Sequence, residues 1–188
     1  MTVCFTGHRT IEGVYYNPQN LGKNWLGVWN KTIEIIYKLW QSGHKEFISG
    51  GALGFDQLAA QAVLYLKNHN IPIELWMALP FPGFEGKWPA ASKTLLTGIV
   101  GCADKMFYVN QGTYAAWKMF ARNEWMVDNA STVVAMYLPN TKGGTKGCLE
   151  YTGKQFKRYI TIHPLAHYSA EFVWDAPTKQ YKVITEDK

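Results

Sequence analysis

Short apolar runs alternate with amphipathic runs along almost the whole chain. The runs TVCFTG (2–7), KEFISGG (45–51) and IPIELWMAL (71–79) have the length and composition of buried strands. Between such runs, apolar residues recur at every third or fourth position, which places them on one face of a helix. About six strand and helix pairs follow one another, a pattern typical of α/β proteins with parallel sheets. The sequence therefore predicts an α/β fold with a mostly parallel sheet flanked by helices.

The end of the chain has a different pattern. Its 188 residues suffice for one sizeable core and are few for two. After residue 164 the alternation stops, and two strand-like runs flank the turn-forming stretch DAPTK. We therefore expect one domain over 1–164 and a small C-terminal tail over 165–188, which is either a β-hairpin or an irregular appendage.

Cysteine usage and hydropathy indicate the compartment. Cys4, Cys102 and Cys148 are far apart, and none belongs to a CxxC pair. An odd number of cysteines without a secretory signal indicates reduced thiols. No apolar stretch approaches the roughly 18 residues that span a bilayer, and no histidine has metal-ligand spacing. We expect a cytoplasmic protein with no membrane partner, no metal and no cofactor.

The net charge of +5 mildly favours an anionic partner. The basic residues are dispersed apart from one cluster, which contains Lys142, Lys146, Lys154, Lys157 and Arg158. A nucleic-acid-binding domain usually carries a denser basic stripe, and a single-strand binder adds a ladder of aromatic residues. The sequence therefore predicts that nucleic acid is an unlikely partner.

Four loops rich in glycine, proline or charge follow predicted strands. They are TGHRT after the first strand, SGGALGFD after the second, PFPGF after the third, and PNTKGGTKGCLE before the last helix. In open α/β sheets, ligands bind outside the carboxyl ends of the strands. We therefore expect these loops to meet at one edge of the sheet and to form a binding site.

Two of these loops have the composition of a phosphate site. A glycine turn that enters a helix presents free backbone N–H groups, and the helix dipole adds positive charge. Neither loop has the spacing of a dinucleotide fingerprint or of a Walker A loop. Asp56 either caps the second helix or accepts a hydrogen bond from a ribose hydroxyl. The expected ligand-binding residues are Gly7, His8, Arg9, Ser49, Gly50, Gly51, Gly54, Asp56, Pro80, Phe81, Arg122, Gly143, Gly144 and Thr145.

Some of these positions have a structural alternative. His8 and Arg9 follow the first strand, where polar residues usually face solvent or a ligand, and we expect His8, Arg9 and Arg122 to supply positive charge. Phe81, Phe84 and Trp88 could stack on a base or cover the edge of the core, and both readings stay open.

Several stretches resemble one known superfamily. CFTGHR, FISGGALGFDQLAAQAV, MALPFPG and RNEWMVDNASTVVAMYLPNTKGGTKGCLEY together are similar to the SLOG superfamily, and its YpsA-like branch shares the opening T-G-H-R. The likeness covers about residues 1 to 162. It implies a Rossmann-like three-layer sandwich that binds nucleotides, and oligomers of two or more chains.

The resemblance also extends to an enzyme family of this superfamily. Lonely Guy phosphoribohydrolases cleave the N-glycosidic bond of nucleoside 5′-monophosphates with an arginine and a P-G-G-x-G-T-x-x-E motif. That likeness assigns catalytic roles to Arg122 and Glu150. The sequence departs from the motif at Lys142, Lys146 and Gly147, which is compatible with phosphate binding and counts against hydrolysis.

Together these observations predict a binding protein for a nucleotide or a nucleotide-derived metabolite, such as a relative of ADP-ribose. Such a protein would act as a sensor or as a sequestering sink. The first alternative is a phosphoribohydrolase with Arg122 and Glu150 as catalytic residues. The second is a nucleic-acid binder resembling the DNA-processing protein DprA.

Overall fold

The structure is a computed structural model and describes residues 1–187. Within that range the strands are β1 (Thr2–Gly7), β2 (Thr10–Ile11), β3 (Val14–Tyr15), β4 (Glu46–Ser49), β5 (Glu74–Leu79), β6 (Lys105–Tyr108), β7 (Thr132–Met136), β8 (Arg158–Ile162), β9 (Ser169–Asp175) and β10 (Gln180–Asp187). The helices are α1 (Lys23–Gln41), α2 (Phe55–Asn68), α3 (Ala90–Cys102), α4 (Ala116–Asp128) and α5 (Gly144–Lys154). The predicted α/β fold is confirmed.

One sheet organises the molecule, with the strand order β10-β9-β8-β7-β1-β4-β5-β6. The strands from β1 to β8 in this sheet are all parallel, whereas β9 and β10 are antiparallel. From β1 the chain runs outward through β4 and β5 to β6, and it then returns to β7 on the other side of β1. The strand order therefore reverses between β1 and β7, which is where ligands bind in open α/β sheets.

Helices cover both faces of this sheet. Alternate residues of β1 point to opposite sides, so that Val3 and Phe5 join one core cluster and Cys4 joins another. The first cluster takes its helical residues from α1, α2 and α3, and the second takes them from α4 and α5. All five residues of β7 are buried, as expected for a parallel strand covered on both faces. Among the described residues, no helix has the length and apolar character that crossing a bilayer requires.

The two hairpins differ in how far the sequence predicted them. β9 and β10 pair antiparallel and extend the main sheet from β8, while Lys188 lies outside the described residues. The division of the chain at residue 164 stays a prediction. The small β2–β3 hairpin was not predicted, because two-residue strands show no periodicity. Its turn residues Glu12 and Gly13 both have positive φ, as a tight hairpin turn requires.

The glycine-rich loop between β4 and α2 packs against the protein itself. Gly54 has a φ of +85°, and a Cβ there would lie 2.5 Å from the carbonyl oxygens of His8 and Arg9. The Phe55 N–H donates to the His8 carbonyl at 3.2 Å, which joins the loop after β1 to the start of α2. A Cβ at Gly50 would clash with Nη1 of Arg122. At Gly50 and Gly54, therefore, the groups that approach the backbone closely belong to the protein itself.

We predict that Gly54→Ala lowers the free energy of unfolding by about 2–4 kcal/mol, because it combines a left-handed backbone with a steric clash. Gly98→Ala is the matched control, since Gly98 lies in α3 and a Cβ added there would meet no atom within 4 Å. Alanine there should stabilise the protein by about 0.5–1 kcal/mol. Urea denaturation measures both changes, and wild-type stability of Gly54→Ala would contradict the contact described.

Candidate functional site

A cavity of about 450 Å³ lies beyond the carboxyl ends of β1 and β7. Its volume falls within the usual range for small-molecule sites. Its polar wall consists of residues from the loop after β1, the first turns of α2 and α5, and the middle of α4. These residues include Gly7, His8, Arg9, Asp56, Arg122, Asn123, Lys142, Gly143, Gly144 and Thr145.

The N-terminus of α5 forms one end of this wall. Gly143 precedes the helix with a φ of +126°, and no side chain caps the helix start. The first N–H groups of a helix have no partner within it and carry partial positive charge. Because Gly143, Gly144 and Thr145 all line the cavity, this end of α5 is suited to bind a phosphate group.

His8 holds the loop that leads into α5. Its Nε2 accepts a hydrogen bond from the Leu138 N–H at 2.9 Å and lies 3.3 Å from the Thr141 hydroxyl. Its ring stacks on Tyr137 with centroids 5.8 Å apart. Burial also lowers the pKa of His8. We expected His8 to supply positive charge. In the structure it is instead a neutral ring, protonated on Nδ1, that positions the loop before α5.

Arg122 and Asp56 form a buried pair at the base of the cavity. Each is only 5% exposed, and Arg122 Nη1 lies 3.8 Å from Asp56 Oδ2. The guanidinium also donates to the Gly50 carbonyl through Nη1 and to Asn123 Oδ1 through Nε. Asp56 Oδ2 accepts a hydrogen bond from the Ala52 N–H at 3.4 Å. A cation and an anion from opposite faces of the sheet thus meet where a ligand would bind.

Burial governs the protonation of this pair. It raises the pKa of Asp56 from 3.8 to about 6, although the charge of Arg122 acts in the opposite direction. Because the folded-state pKa is raised, Asp56 contributes stability that is fully present below about pH 4 and is lost as the pH rises through about 6. Asp56 can therefore gain or lose a proton near neutral pH, a property of functional carboxylates.

Aromatic residues form another part of the cavity wall. They are Phe84, Trp88, Tyr114 and Phe120. Phe84 and Trp88 meet edge to face, with centroids 5.2 Å apart. Such rings offer flat surfaces on which a base can stack.

Two residues behind this wall hold it in place. The buried Phe81 contacts the rings of Phe84 and Tyr114, with centroids 6.3 and 6.1 Å apart. The buried Lys118 ammonium donates to the carbonyl oxygens of Gln111 and Thr113, and so fixes the loop that carries Tyr114. Phe81 thus supports the aromatic wall and is not itself part of the lining.

Several residues expected at the site do not line the cavity. They are Ser49, Gly50, Gly51, Gly54, Pro80, Phe81 and Glu150. The Ser49 hydroxyl donates to the Asp56 carbonyl at 2.7 Å and accepts from the Gly51 N–H at 3.1 Å, so that it holds the loop below the cavity. Gly51 lies against the apolar side chains of Met77, Leu79 and Leu96. Ligand contact at these positions stays a prediction.

Glu150 lies apart from Arg122. Its side chain is 60% exposed, lies 3.6 Å from the Lys146 ammonium, and lines a different cavity. The structure therefore does not bring together the two catalytic residues that the resemblance assigned. Asp56 is the acidic residue of the described lining.

Sequence reasoning missed Tyr114, Phe120, Asn123 and Lys142 as lining residues. Tyr114, Trp117 and Phe120 recur at intervals of three along the chain. That spacing resembles the buried face of a helix, yet these rings are 70%, 60% and 53% exposed. The buried face of α4 carries Lys118 and Arg122. Because charged residues usually lie on the exposed face of a helix, the sequence did not indicate which face of α4 is buried.

Comparison with known proteins finds one family whose sequence model matches this chain. The model of the YspA SLOG family matches residues 3–168. The SPbeta prophage-derived protein YoqJ of Bacillus subtilis is 32% identical in an alignment of 149 positions that covers 72% of this chain and 86% of YoqJ. A UPF0398 protein of Halalkalibacterium halodurans is 27% identical in an alignment of 171 positions that covers 87% of this chain and 89% of that protein.

Two solved structures share the fold. DNA processing protein A from Helicobacter pylori superposes with a TM-score of 0.57 at 18% identity, over 87% of this chain and 65% of that one. DprA from Streptococcus pneumoniae superposes with a TM-score of 0.59 at 17% identity, over 86% of this chain and 50% of that one. This chain thus spans about two thirds and one half of those proteins, and identities this low show the fold alone.

These structures correct one expectation. The Helicobacter pylori protein is described for its binding of single-stranded DNA, so the prediction that nucleic acid is an unlikely partner is wrong. That prediction relied on the density of basic residues along the sequence. The fold, however, brings Arg9, Arg122 and Lys142 to one cavity from three separate segments. Assembly into a dimer or a larger oligomer stays a prediction.

We predict that Arg122→Met raises the pKa of Asp56 above about 6, because the guanidinium favours the ionised carboxylate. The variant should also be about 3–5 kcal/mol less stable, since it leaves a buried charge without its partner. A carbon-detected NMR titration of the Asp56 carboxyl measures the pKa. Lys142→Met removes an exposed cation of the same lining and should leave that pKa unchanged. An unchanged or lowered pKa in Arg122→Met would contradict the coupling.

Proposed function

The chain belongs to the YspA SLOG family, and on that basis we propose that its main cavity binds a nucleotide or a nucleotide-derived metabolite. One observation carries the proposal. The uncapped N-terminus of α5 and the buried guanidinium of Arg122 line the same cavity, and four aromatic rings line it as well. A phosphate and a base would therefore each meet suitable groups within one cavity.

The charges of the lining support an anionic ligand. Arg9, Arg122 and Lys142 supply three cations, whereas Asp56 supplies one carboxylate. The N–H groups of α5 add donors without a counterion. Guanidinium groups bind phosphate oxygens through paired, charge-assisted hydrogen bonds. The phosphate would lie between the start of α5 and Arg122.

Asp56 gives the site a second property. As an ionised carboxylate it would accept hydrogen bonds from ribose hydroxyls, as expected from the sequence. A phosphate nearby would disfavour its ionisation, because two like charges would share a buried site. Ligand binding should therefore favour uptake of a proton by Asp56. This coupling suits a protein that senses or sequesters its ligand.

Hydrolysis is the less supported alternative. The carboxylate that the phosphoribohydrolase likeness assigns, Glu150, lies in another cavity. Any cleavage at the main cavity would have to use Asp56 as its acid. Recovery of the ligand intact or cleaved separates the two functions directly.

We predict that 5′-monophosphates bind at least ten-fold more tightly than their nucleosides, because only the former reach α5 and Arg122. Calorimetry with AMP and GMP against adenosine and guanosine measures the difference. Lys142→Ala and Arg9→Ala should each weaken monophosphate binding about five- to ten-fold. Lys154→Ala removes an exposed cation at the other end of α5 and should have no effect.

Chromatography of the same mixtures completes the experiment. Intact monophosphate supports a binding protein, whereas free base and ribose 5-phosphate would establish a hydrolase. Equal affinity for nucleosides and monophosphates would overturn the proposed phosphate site. ADP-ribose belongs in the same panel, because a nucleotide-derived metabolite carries the same groups.

The aromatic residues of α4 favour a second candidate function, the binding of single-stranded nucleic acid. Trp117 is 60% exposed and is three positions in sequence from both Tyr114 and Phe120, which line the cavity. A strand could place one nucleotide in the cavity and stack a neighbouring base on Trp117. The fold shared with the single-stranded DNA binder of Helicobacter pylori supports this candidate.

We predict that, if this candidate holds, Trp117→Ala weakens binding of a labelled oligothymidylate about ten-fold, since stacking contributes about 1–3 kcal/mol per base. Binding of AMP should not change, because Trp117 lies outside the cavity lining. Tyr37→Ala, which removes an exposed ring from α1, is the control. Fluorescence polarisation at low salt measures the affinities. Absence of oligonucleotide binding at low salt, or wild-type affinity of Trp117→Ala, would exclude the candidate.

A further inference from the structure

A second cavity of about 410 Å³ lies between α5 and the strands β8 and β9. It shares no lining residue with the main cavity among the residues that the structure describes. The match to the family ends at residue 168, yet Ala170 and Phe172 of β9 form part of this lining. The cavity therefore depends on a segment that lies beyond the family match.

The register of β8 and β9 creates the floor of this cavity. Tyr159 lies opposite Phe172, and their rings stack with centroids 4.6 Å apart and planes within 11°. The next pair on the same face is Thr161 and Ala170, whose side chains are small. Side chains of a strand alternate between its faces, so these two pairs are neighbours on the floor of the cavity. The large rings of the first pair stand beside the small side chains of the second, which leaves a hollow over Thr161 and Ala170.

A second ring pair closes the far end of the hollow. His163 and Tyr168 stack with centroids 5.1 Å apart and planes within 23°. His163 is four residues from Tyr159, about 13 Å along an extended strand. α5 packs against β1 and β7, and the rings of this floor remain half-buried. The hollow is thus open between two aromatic walls.

The polar groups of this cavity balance in charge. Lys146 and Glu150, one helical turn apart on α5, contribute one cation and one anion. The Nδ1 of His163 accepts hydrogen bonds from the backbone N–H groups of Leu165 and Ala166, so Nε2 is the ring nitrogen that carries a proton. Together with the Thr161 hydroxyl, these groups offer both donors and acceptors. The main cavity, in contrast, has an excess of cations.

We propose that this second cavity binds a neutral, planar heteroaromatic ring, of the class of a nucleobase or nucleoside, between the two aromatic pairs. Contacts with the rings of the two pairs would hold the plane of the ligand. Donors and acceptors on its edge would meet Thr161, His163, Lys146 and Glu150. This cavity has no excess of cations to attract a phosphate. We therefore expect phosphorylated ligands to prefer the main cavity and neutral ring compounds to prefer this one.

The cavity is also in contact with the main site. Tyr137 lines the second cavity and stacks on His8, which lines the first. α5 contributes its N-terminus to one cavity and Lys146 and Glu150 to the other. Occupancy of the second cavity can therefore bias the loop that presents α5 to a phosphate.

The test is NMR of the methyl groups of the full chain, titrated with adenosine, guanosine, cytidine, uridine and thymidine. We expect at least one nucleoside to shift the methyl signals of Ala170 and Leu149, which line the second cavity, and not those of Ala116 and Met119, which line the first. Thr161→Phe fills the hollow and should weaken this binding at least ten-fold. Thr97→Phe makes the same change at an exposed site on α3 and should not.

Two further measurements keep the result decisive. Tyr168→Ala removes one wall at a half-buried loop position, so it tests the site if Thr161→Phe melts at a lower temperature. The proposal is overturned if no nucleoside shifts the Ala170 and Leu149 signals up to its solubility limit, or if only Ala116 and Met119 respond. It is equally overturned if those signals respond to protein concentration alone, which would place a second copy of the chain in the hollow. Failure of phosphate binding at the main cavity would leave this result unaffected.

Discussion

The packing of one guanidinium at the centre of the fold determines much of the rest. Arg122 comes from α4 on one face of the sheet and reaches the loop before α2, which lies on the other face. It can do so only because Gly50 has no side chain. The contact removes two charged groups from water, and the replacement of such pairs by apolar residues often stabilises proteins. The proposed ligand site would give this buried pair a role that its contribution to stability does not.

Close packing also explains why the loop between β4 and α2 contains glycines. Three glycines before a helix suggested a turn built for a phosphate, and this reading stays a prediction at Gly50 and Gly51. In the structure, Gly50 admits Arg122, and Gly54 admits the backbone of His8 and Arg9. Both residues thereby position groups that line the cavity. Gly50 and Gly54 thus support the site without lining the cavity, whereas Gly143 lines it and exposes the first N–H groups of α5 to it.

Sequence patterns predicted the parts of this structure that depend on local spacing. The alternation of strands and helices predicted the fold. The rule that ligands bind at the carboxyl ends of strands predicted that Gly7, Arg9, Gly143 and Thr145 lie together at one edge of the sheet, and all four line the main cavity. The positions that sequence could not predict depend on helix rotation and on strand register. Arg122 and Lys118 occupy the buried side of α4, so Trp117 and Phe120 face out.

Register likewise explains why the second cavity gave no sequence signal. Tyr159 and Phe172 are thirteen positions apart in sequence, and they meet only through the antiparallel pairing of β8 with β9. Glu150 illustrates the reverse case. Its interval from the glycines matches a family motif, yet the five residues from Thr145 to Glu150 turn about 140° around the axis of α5, and Glu150 lines a separate cavity.

The last hairpin has a consequence for solubility. Without it, β8 would be an outer strand of the sheet, with free backbone groups and the apolar Ile160 and Ile162 beside them. Such edges pair readily with other chains and start aggregates. β10 instead forms the border, with an irregular register between Val183 and Thr185 and an ion pair from Lys182 to Asp175. The segment that walls the second cavity thus also protects the sheet, and loosening it would promote self-association.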